Sequence, residues 1–162
     1  MGQDKGLLRN NGVIWAKHMA DKLIPYDLPV VLSVNAMQVN AYSAGWPGIP
    51  LVVDKVAVEG PLNGLLSVHE QFPDKDLLLL ACDMLDMDAP TIERLLEAYH
   101  KGGHLFYAYS DGGFFQPFCS IYTSVGMADT HKVGSLQQLL RQGKTKSLVL
   151  VSNEAFRNYN TL

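Results

Sequence analysis

The chain has 162 residues, 48% hydrophobic and 18% charged, with 13 Lys and Arg against 16 Asp and Glu for a net charge of -3. That size suits one domain with one core, and that apolar content offsets the entropy of ordering, which excludes a disordered chain. The acidic balance disfavours broad nonspecific nucleic-acid binding but leaves room for a small anion held by a local site.

Cys82 and Cys119 each lie in an apolar run and read as small buried hydrophobes, not as a disulfide framework. No apolar run has the length of a bilayer span, and no secretory signal opens the sequence. The expectation is a soluble cytoplasmic domain with neither nucleic acid nor a membrane as partner.

In chain order, residues 1–12 form a polar, glycine-containing start. Ile14, Met19 and Leu23 predict a helix over 13–23. PVVLSVN (29–35) predicts a short strand buried on both faces, residues 36–48 leave room for one short helix and a turn, and IPLVVD (49–54) predicts a second strand. Gly60 and Pro61 open a helix carrying Leu62, Leu65, Leu66 and Phe72. DKDLLLLACD (74–83) predicts the central strand, over 76–82, with Asp83 at its carboxyl end. Asp88 starts a helix with Ile92, Leu95, Leu96 and Tyr99 at helical spacing, and Gly102-Gly103 stops it. Strands follow at 104–110, 116–123 and 146–152, with a turn at 111–113, a helix at 135–141 and a polar tail. The alternation predicts a three-layer α/β domain with a mostly parallel sheet, in which 29–34, 49–53 and 76–82 are parallel and adjacent.

Ligands of such sheets bind beyond the carboxyl ends of the strands, where Asp54 and Asp83 both stand. Two carboxylates facing one cleft suit a hard divalent cation such as Mg²⁺; the alternative is that Asp83 caps a loop or the helix near Ala89. Lys5, between Gly2 and Gly6, is either a phosphate contact or a solvated lysine. Gly60, Pro61 and Gly64 mark either a helix N-terminus open to an anion or a tight turn under close packing. Asn158 and Asn160 suit a heterocycle edge or phosphate oxygens, or a plain turn. His18, His69, His100, His104 and His131 show no metal-binding spacing, and no P-loop, GxGxxG, GxSxG or CxxC occurs.

Taken together, several short motifs resemble the MobA-type molybdenum cofactor guanylyltransferase family of the NTP-transferase superfamily. They are Met1-Gly-Gln-Asp-Lys5, Ser33-Val-Asn35, Val53-Asp54, Gly60-Pro-Leu-Asn-Gly64, Ala81-Cys-Asp83, Gln116-Pro117 with Ile121-Tyr122, and Asn158-Tyr-Asn160-Thr161. The resemblance runs in order along the whole chain. It implies a Rossmann-like nucleotidyltransferase fold and transfer of GMP from GTP to molybdopterin, with release of pyrophosphate. Asp83 would hold Mg²⁺ with help from Asp54, and Lys5 would contact the nucleotide phosphates. Asn35, Gly60, Pro61 and Gly64 would line the nucleotide side, with Asn158 and Asn160 near the pterin. Cofactor-synthesis or molybdoenzyme-maturation proteins are candidate partners.

The sequence departs from that family in three places. Leu85 replaces a frequent proline, the arginine before Met-Gly is missing, and so are the first strand and glycine-rich phosphate loop that usually precede it. The expectation is therefore a single N-terminally truncated domain that binds GTP weakly. Two competing readings are a cytidylyltransferase or other small-molecule nucleotidyltransferase of the same fold, and a catalytically inert binding or assembly module.

Overall fold

A computed structural model of the chain describes residues 4–130 and 133–160. Met1, Gly2, Gln3, His131 and Thr161, each part of an expectation above, lie outside the described residues. After a single 3-10 turn at Lys5–Leu7, the chain makes a small hairpin of β1 (Arg9–Asn10) and β2 (Val13–Ile14). Asn11 and Gly12 between them both have positive φ, the geometry that lets a two-residue turn match the twist of its strands. The helix α1 therefore starts only at Trp15 and ends at Asp21.

The strand expected at 29–35 is confined to β3 (Leu32–Val34), and α2 (Val39–Gly45) fills the ambiguous segment after it. β4 (Leu51–Val53) pairs parallel with β3, Ser33 opposite Val52, as expected. Gly60, at φ 72 and ψ -162, turns the chain into α3 (Pro61–Gln71). Next come β5 (Leu77–Leu79) and α4 (Ala89–Lys101), whose N-terminus is capped by the Asp88 carboxylate accepting from Thr91 N–H. The remaining elements are β6 (Phe106–Asp111), β7 (Phe114–Phe115), β8 (Ser120–Tyr122), α5 (Ser124–Met127), α6 (Leu136–Gln142) and β9 (Thr145–Val149).

The architecture is the expected three-layer α/β one. β6 alternates sides: Tyr107 and Tyr109 face one core with Trp15 and Met19 of α1 and Ile92 and Leu95 of α4. Phe106 and Ala108 face the other with Leu62 and Leu65 of α3 and Leu139 and Leu140 of α6. A third cluster, Ile14, Ala16, Val34 and Tyr42, lies around β3 and α2. No helix among the described residues is long and apolar enough to cross a membrane.

The placement of the central strand differs from the expectation. β5 is parallel to β6 and β9 by way of β8, which runs antiparallel to both β5 and β6. Among the described residues it makes no ladder with β3 or β4, which form a separate two-stranded sheet. Apolar runs report burial but not partner or direction, so β8 took the place that the crossover order had suggested for β3 or β4.

Candidate active site

The carboxyl ends of β3, β4 and β5 supply the expected residues. Lys5 Nζ donates to Asp83 Oδ2 at 2.7 Å, joining residues 78 positions apart. The Asp83 side chain is 14% exposed and that of Lys5 38%, so the pair sits at a boundary with solvent. Solvent screens a pair so placed, so its net contribution to stability is small. Asp83 Oδ1 accepts no hydrogen bond among the described residues. Its backbone carbonyl accepts from Tyr159 N–H at 3.0 Å.

Asp54 lies at the end of β4, and its Oδ1 accepts from Ser33 Oγ at 3.2 Å. Gly64 packs against that contact: a Cβ there would stand 2.5 Å from Ser33 Oγ and 3.6 Å from Asp54 Oδ1. The bare α-carbon thus lets α3 lie close to β3 and β4. Asn63 Oδ1 accepts from Val56 N–H and from Ser67 Oγ, while Ser67 Oγ accepts from Lys55 N–H. These bonds tie the loop after Asp54 to the first turns of α3. Asp54, Gly60, Pro61 and Gly64 all line one cavity of about 990 Å³.

Asn35 has a structural role as well as a place at the end of β3. Its Oδ1 accepts from the N–H groups of Met37 and Gln38, and its own N–H donates to Gln38 Oε1. Asn158 and Asn160 are both exposed. Between them Tyr159 makes the tail's contacts, donating its hydroxyl to Asp86 Oδ2 at 2.6 Å and standing edge-on to Trp15. The tail therefore lies beside Asp83, with the two amides pointing to no described partner.

Asp4, Gln38 and Tyr42 carry no assigned role in the sequence reading. Asp4 Oδ1 accepts from Gly6 N–H at 3.1 Å and from the Tyr42 hydroxyl at 2.7 Å. Its Oδ2 accepts from Gln38 Nε2 at 2.6 Å. Asp4 thereby caps the turn that carries Lys5 and anchors it to the segment after β3. Burial, with the Asp4 carboxylate beside it, pushes the Tyr42 hydroxyl far above its ordinary range, so it stays a proton donor. Gly6 is needed here because a Cβ would collide with the Tyr42 hydroxyl. The one sequence signal was Asp4 standing two residues before Gly6, a spacing common to many polar turns.

Cys82 is partly buried and its thiol is pushed up to about 11, mainly by burial and then by Asp83 and Asp4. It stays protonated at neutral pH and has no character of a nucleophile. Cys119 is buried, and neither cysteine is in a disulfide.

Carboxylates at strand ends, a lysine on one of them and a glycine-backed helix start are the parts of a phosphate-handling site. The family profile for the MobA-like NTP transferase domain matches residues 1–155. The chain belongs to that family. A molybdenum cofactor guanylyltransferase from Shewanella putrefaciens is 27% identical over 173 aligned residues, covering 99% of this chain and 85% of that protein. A molybdenum cofactor biosynthesis bifunctional protein from Synechocystis sp. is 29% identical over 133 residues. That match takes in 78% of this chain and spans 36% of the Synechocystis protein. Among solved structures, the molybdopterin-guanine dinucleotide biosynthesis protein A from Archaeoglobus fulgidus has a TM-score of 0.78 at 14% identity, over 99% of this chain and 86% of that one. The bifunctional IspDF from Campylobacter jejuni has a TM-score of 0.72 at 10% identity, over 98% of this chain and 47% of that one. These two structures share the fold.

No group of three or more His, Cys, Asp or Glu that could cage a metal occurs among the described residues. Asp83 and Asp54 offer carboxylate oxygens, the hard donors that Mg²⁺ takes one or two at a time.

Proposed function

We propose that this member of the MobA-like family transfers GMP from GTP to molybdopterin and releases pyrophosphate. The observation that carries this reading is the Lys5–Asp83 pair at the carboxyl end of β5, with the Asp54–Ser33–Gly64 packing nearby. The names of the relatives from Shewanella putrefaciens and Synechocystis sp. point the same way.

In this reading Lys5 would contact the nucleotide phosphates, and Asp83 would be one of the residues to hold Mg²⁺. Asp83 would be the main ligand and Asp54 a secondary one. The cation supplies charge neutralisation at the phosphates. The chain's own residues bind and orient: Asp4 holds the turn under Lys5, Asn35 shapes the loop after β3, and Gly60, Pro61 and Gly64 line the nucleotide side. Asn158 and Asn160, exposed on either side of the anchored Tyr159, face the pterin. Such a site works in the cytoplasm, where GTP and Mg²⁺ are abundant.

The test is pyrophosphate release from GTP, Mg²⁺ and molybdopterin, with formation of the guanine dinucleotide followed by chromatography. Turnover that disappears in Lys5→Met supports the assignment. CTP replacing GTP with equal or better turnover refutes the guanylyl reading, and turnover with neither nucleotide in the folded chain refutes transfer by this chain.

A further inference from the structure

Asn35 and Gln38 bond each other in both directions. Gln38 N–H donates to Asn35 Oδ1 at 3.1 Å, and Asn35 N–H donates to Gln38 Oε1 at 2.8 Å. This exchange over three residues is the arrangement of a capping box, and it holds the turn between β3 and α2. A capping box asks only for an acceptor from the later side chain, so glutamate serves it as well as glutamine. The amino half of the Gln38 side chain is therefore surplus to the turn.

That half has a partner of its own. Gln38 Nε2 donates to Asp4 Oδ2 at 2.6 Å, across 34 positions of sequence. The two bonds leave the amide one orientation, with Oε1 on the Asn35 N–H and Nε2 on the Asp4 carboxylate. They also select the residue type. Glutamate offers Asp4 no donor, lysine offers Asn35 no acceptor, and an amide offers both.

Asp4 passes this constraint on. Its Oδ1 caps the turn at Lys5–Leu7 by accepting from Gly6 N–H, so the carboxylate that Gln38 holds is the one that sets the turn from which Lys5 reaches Asp83. The Tyr42 hydroxyl braces the same carboxylate, but among the described residues it has no bond to Asn35. Asp4, Gln38 and Tyr42 line the cavity of about 990 Å³ together with Ser33, Asp54 and Gly64. One amide thus ties the end of β3, where Asn35 stands, to the root of Lys5.

We infer that Gln38 is a positioning residue whose amide couples the nucleoside side of the site, at Asn35, to the phosphate side, at Lys5. This coupling rests on the reading above, in which Lys5 contacts the nucleotide phosphates and Asn35 lines the nucleotide side. Its consequence is selectivity. A nucleoside triphosphate joins both sides covalently and gains from having them held at a fixed separation. Inorganic triphosphate touches the phosphate side alone and can follow a mobile lysine. The site therefore favours a nucleotide over free polyphosphate, and Gln38 carries that preference.

Gln38→Glu is the deciding variant, because it keeps the volume and the capping box and removes only the donor to Asp4. Two carboxylates then face each other; near neutral pH they repel, and at lower pH they share a proton that rebuilds the bridge. Reductive methylation of Lys5, read by peptide mass spectrometry against the exposed Lys101, needs no nucleotide. Calorimetry with Mg²⁺ compares GTP with tripolyphosphate. Near neutral pH, Gln38→Glu should methylate Lys5 several-fold faster than the unsubstituted chain and lower GTP affinity about tenfold, with tripolyphosphate affinity kept within about twofold. The methylation rate and the GTP affinity should return towards the unsubstituted values as the pH falls to about 5. Gln38→Met removes both side-chain bonds and should show the same losses without the recovery. The Tyr42 hydroxyl and the Cys82 thiol stay protonated throughout. Lys5, Asp54, Glu59 and Asp83 are common to all the chains, so comparison at each pH assigns the recovery to Asp4 and the new carboxylate. Unchanged methylation of Lys5 in Gln38→Glu overturns the inference, as does an equal loss for GTP and tripolyphosphate, or a loss that pH does not reverse. Should the unsubstituted chain bind no GTP, the nucleotide reading falls, and the methylation rate and its pH dependence alone decide whether Gln38 positions Lys5.

Discussion

Tyr42→Phe isolates one hydrogen bond at the root of the Lys5 turn. The Tyr42 ring is 4% exposed and packs with Ile14, Ala16 and Val34, and phenylalanine keeps all of that volume. What is lost is the hydroxyl donating to Asp4 Oδ1 at 2.7 Å. A hydrogen bond to a charged acceptor contributes roughly 1.5–3 kcal/mol net, and the lower part of that range applies because Asp4 is only partly buried and keeps Gly6 N–H and Gln38 Nε2. The expected loss is about 1.5–2 kcal/mol by urea unfolding. Asp4→Asn and the double variant complete the cycle, which isolates the Tyr42–Asp4 coupling from the rest of each substitution. Because Asp4 caps the turn carrying Lys5, GTP affinity measured by calorimetry should fall several-fold in Tyr42→Phe. A stability loss under about 0.5 kcal/mol, with no coupling in the cycle, would refute the reasoning.

Gly64→Ala puts a methyl 2.5 Å from Ser33 Oγ; overpacking of this kind costs about 1–3 kcal/mol, and Ser33→Ala in the same chain should restore most of it in a thermal melt. Asp83→Asn should leave the unfolding midpoint nearly unchanged, because the tail is held by the Asp83 backbone carbonyl and not by its side chain, yet abolish Mg²⁺-supported turnover. Asp54→Asn should reduce turnover less; the reverse order would exchange the roles of the two carboxylates. Burial pushes the Cys119 thiol and the Tyr109 hydroxyl up to about 12, so the fold keeps protons that the unfolded chain releases. Stability should therefore be full at neutral pH and decline as the pH rises above the ordinary thiol range, by about 1.4 kcal/mol per pH unit for each group released. A urea midpoint that is flat between pH 8 and 11 would contradict this.

Much of the scaffold was legible because local signals and burial agree. Gly60-Pro61 opens α3, Asp88 caps α4, and Gly112-Gly113 turns β6 into β7. Asp54 directly follows β4, whereas the strand expected over 76–82 is confined to Leu77–Leu79, so that Asp83 stands four residues beyond its end in a turn. The pairing of β5 was not legible, since LLLL carries no period and thus no record of which strand lies beside it. The Asn11-Gly12 hairpin has a strong turn signal, but strands of two residues leave no alternation to confirm it. Asp4 was passed over because a lone carboxylate in a polar loop looks solvated; its partners Gln38 and Tyr42 lie 34 and 38 residues away. In the tail, attention to Asn158 and Asn160 hid Tyr159, whose ring and backbone make the anchoring contacts.

The Tyr159 N–H on the Asp83 carbonyl and the Lys5 ammonium on its carboxylate bring two segments far apart in sequence to one residue between them. Loops this long close late, because their entropy must be lost before any contact rewards it. A chain emerging from synthesis can complete β3, β4, α3 and β5 while Asp83 still lacks the partner that comes last. The candidate site is thus among the final parts to assemble. Any ligand that grips Lys5 and Asp83 together would act as a clasp on these distant segments, raising the melting temperature by mass action well beyond the few residues it touches.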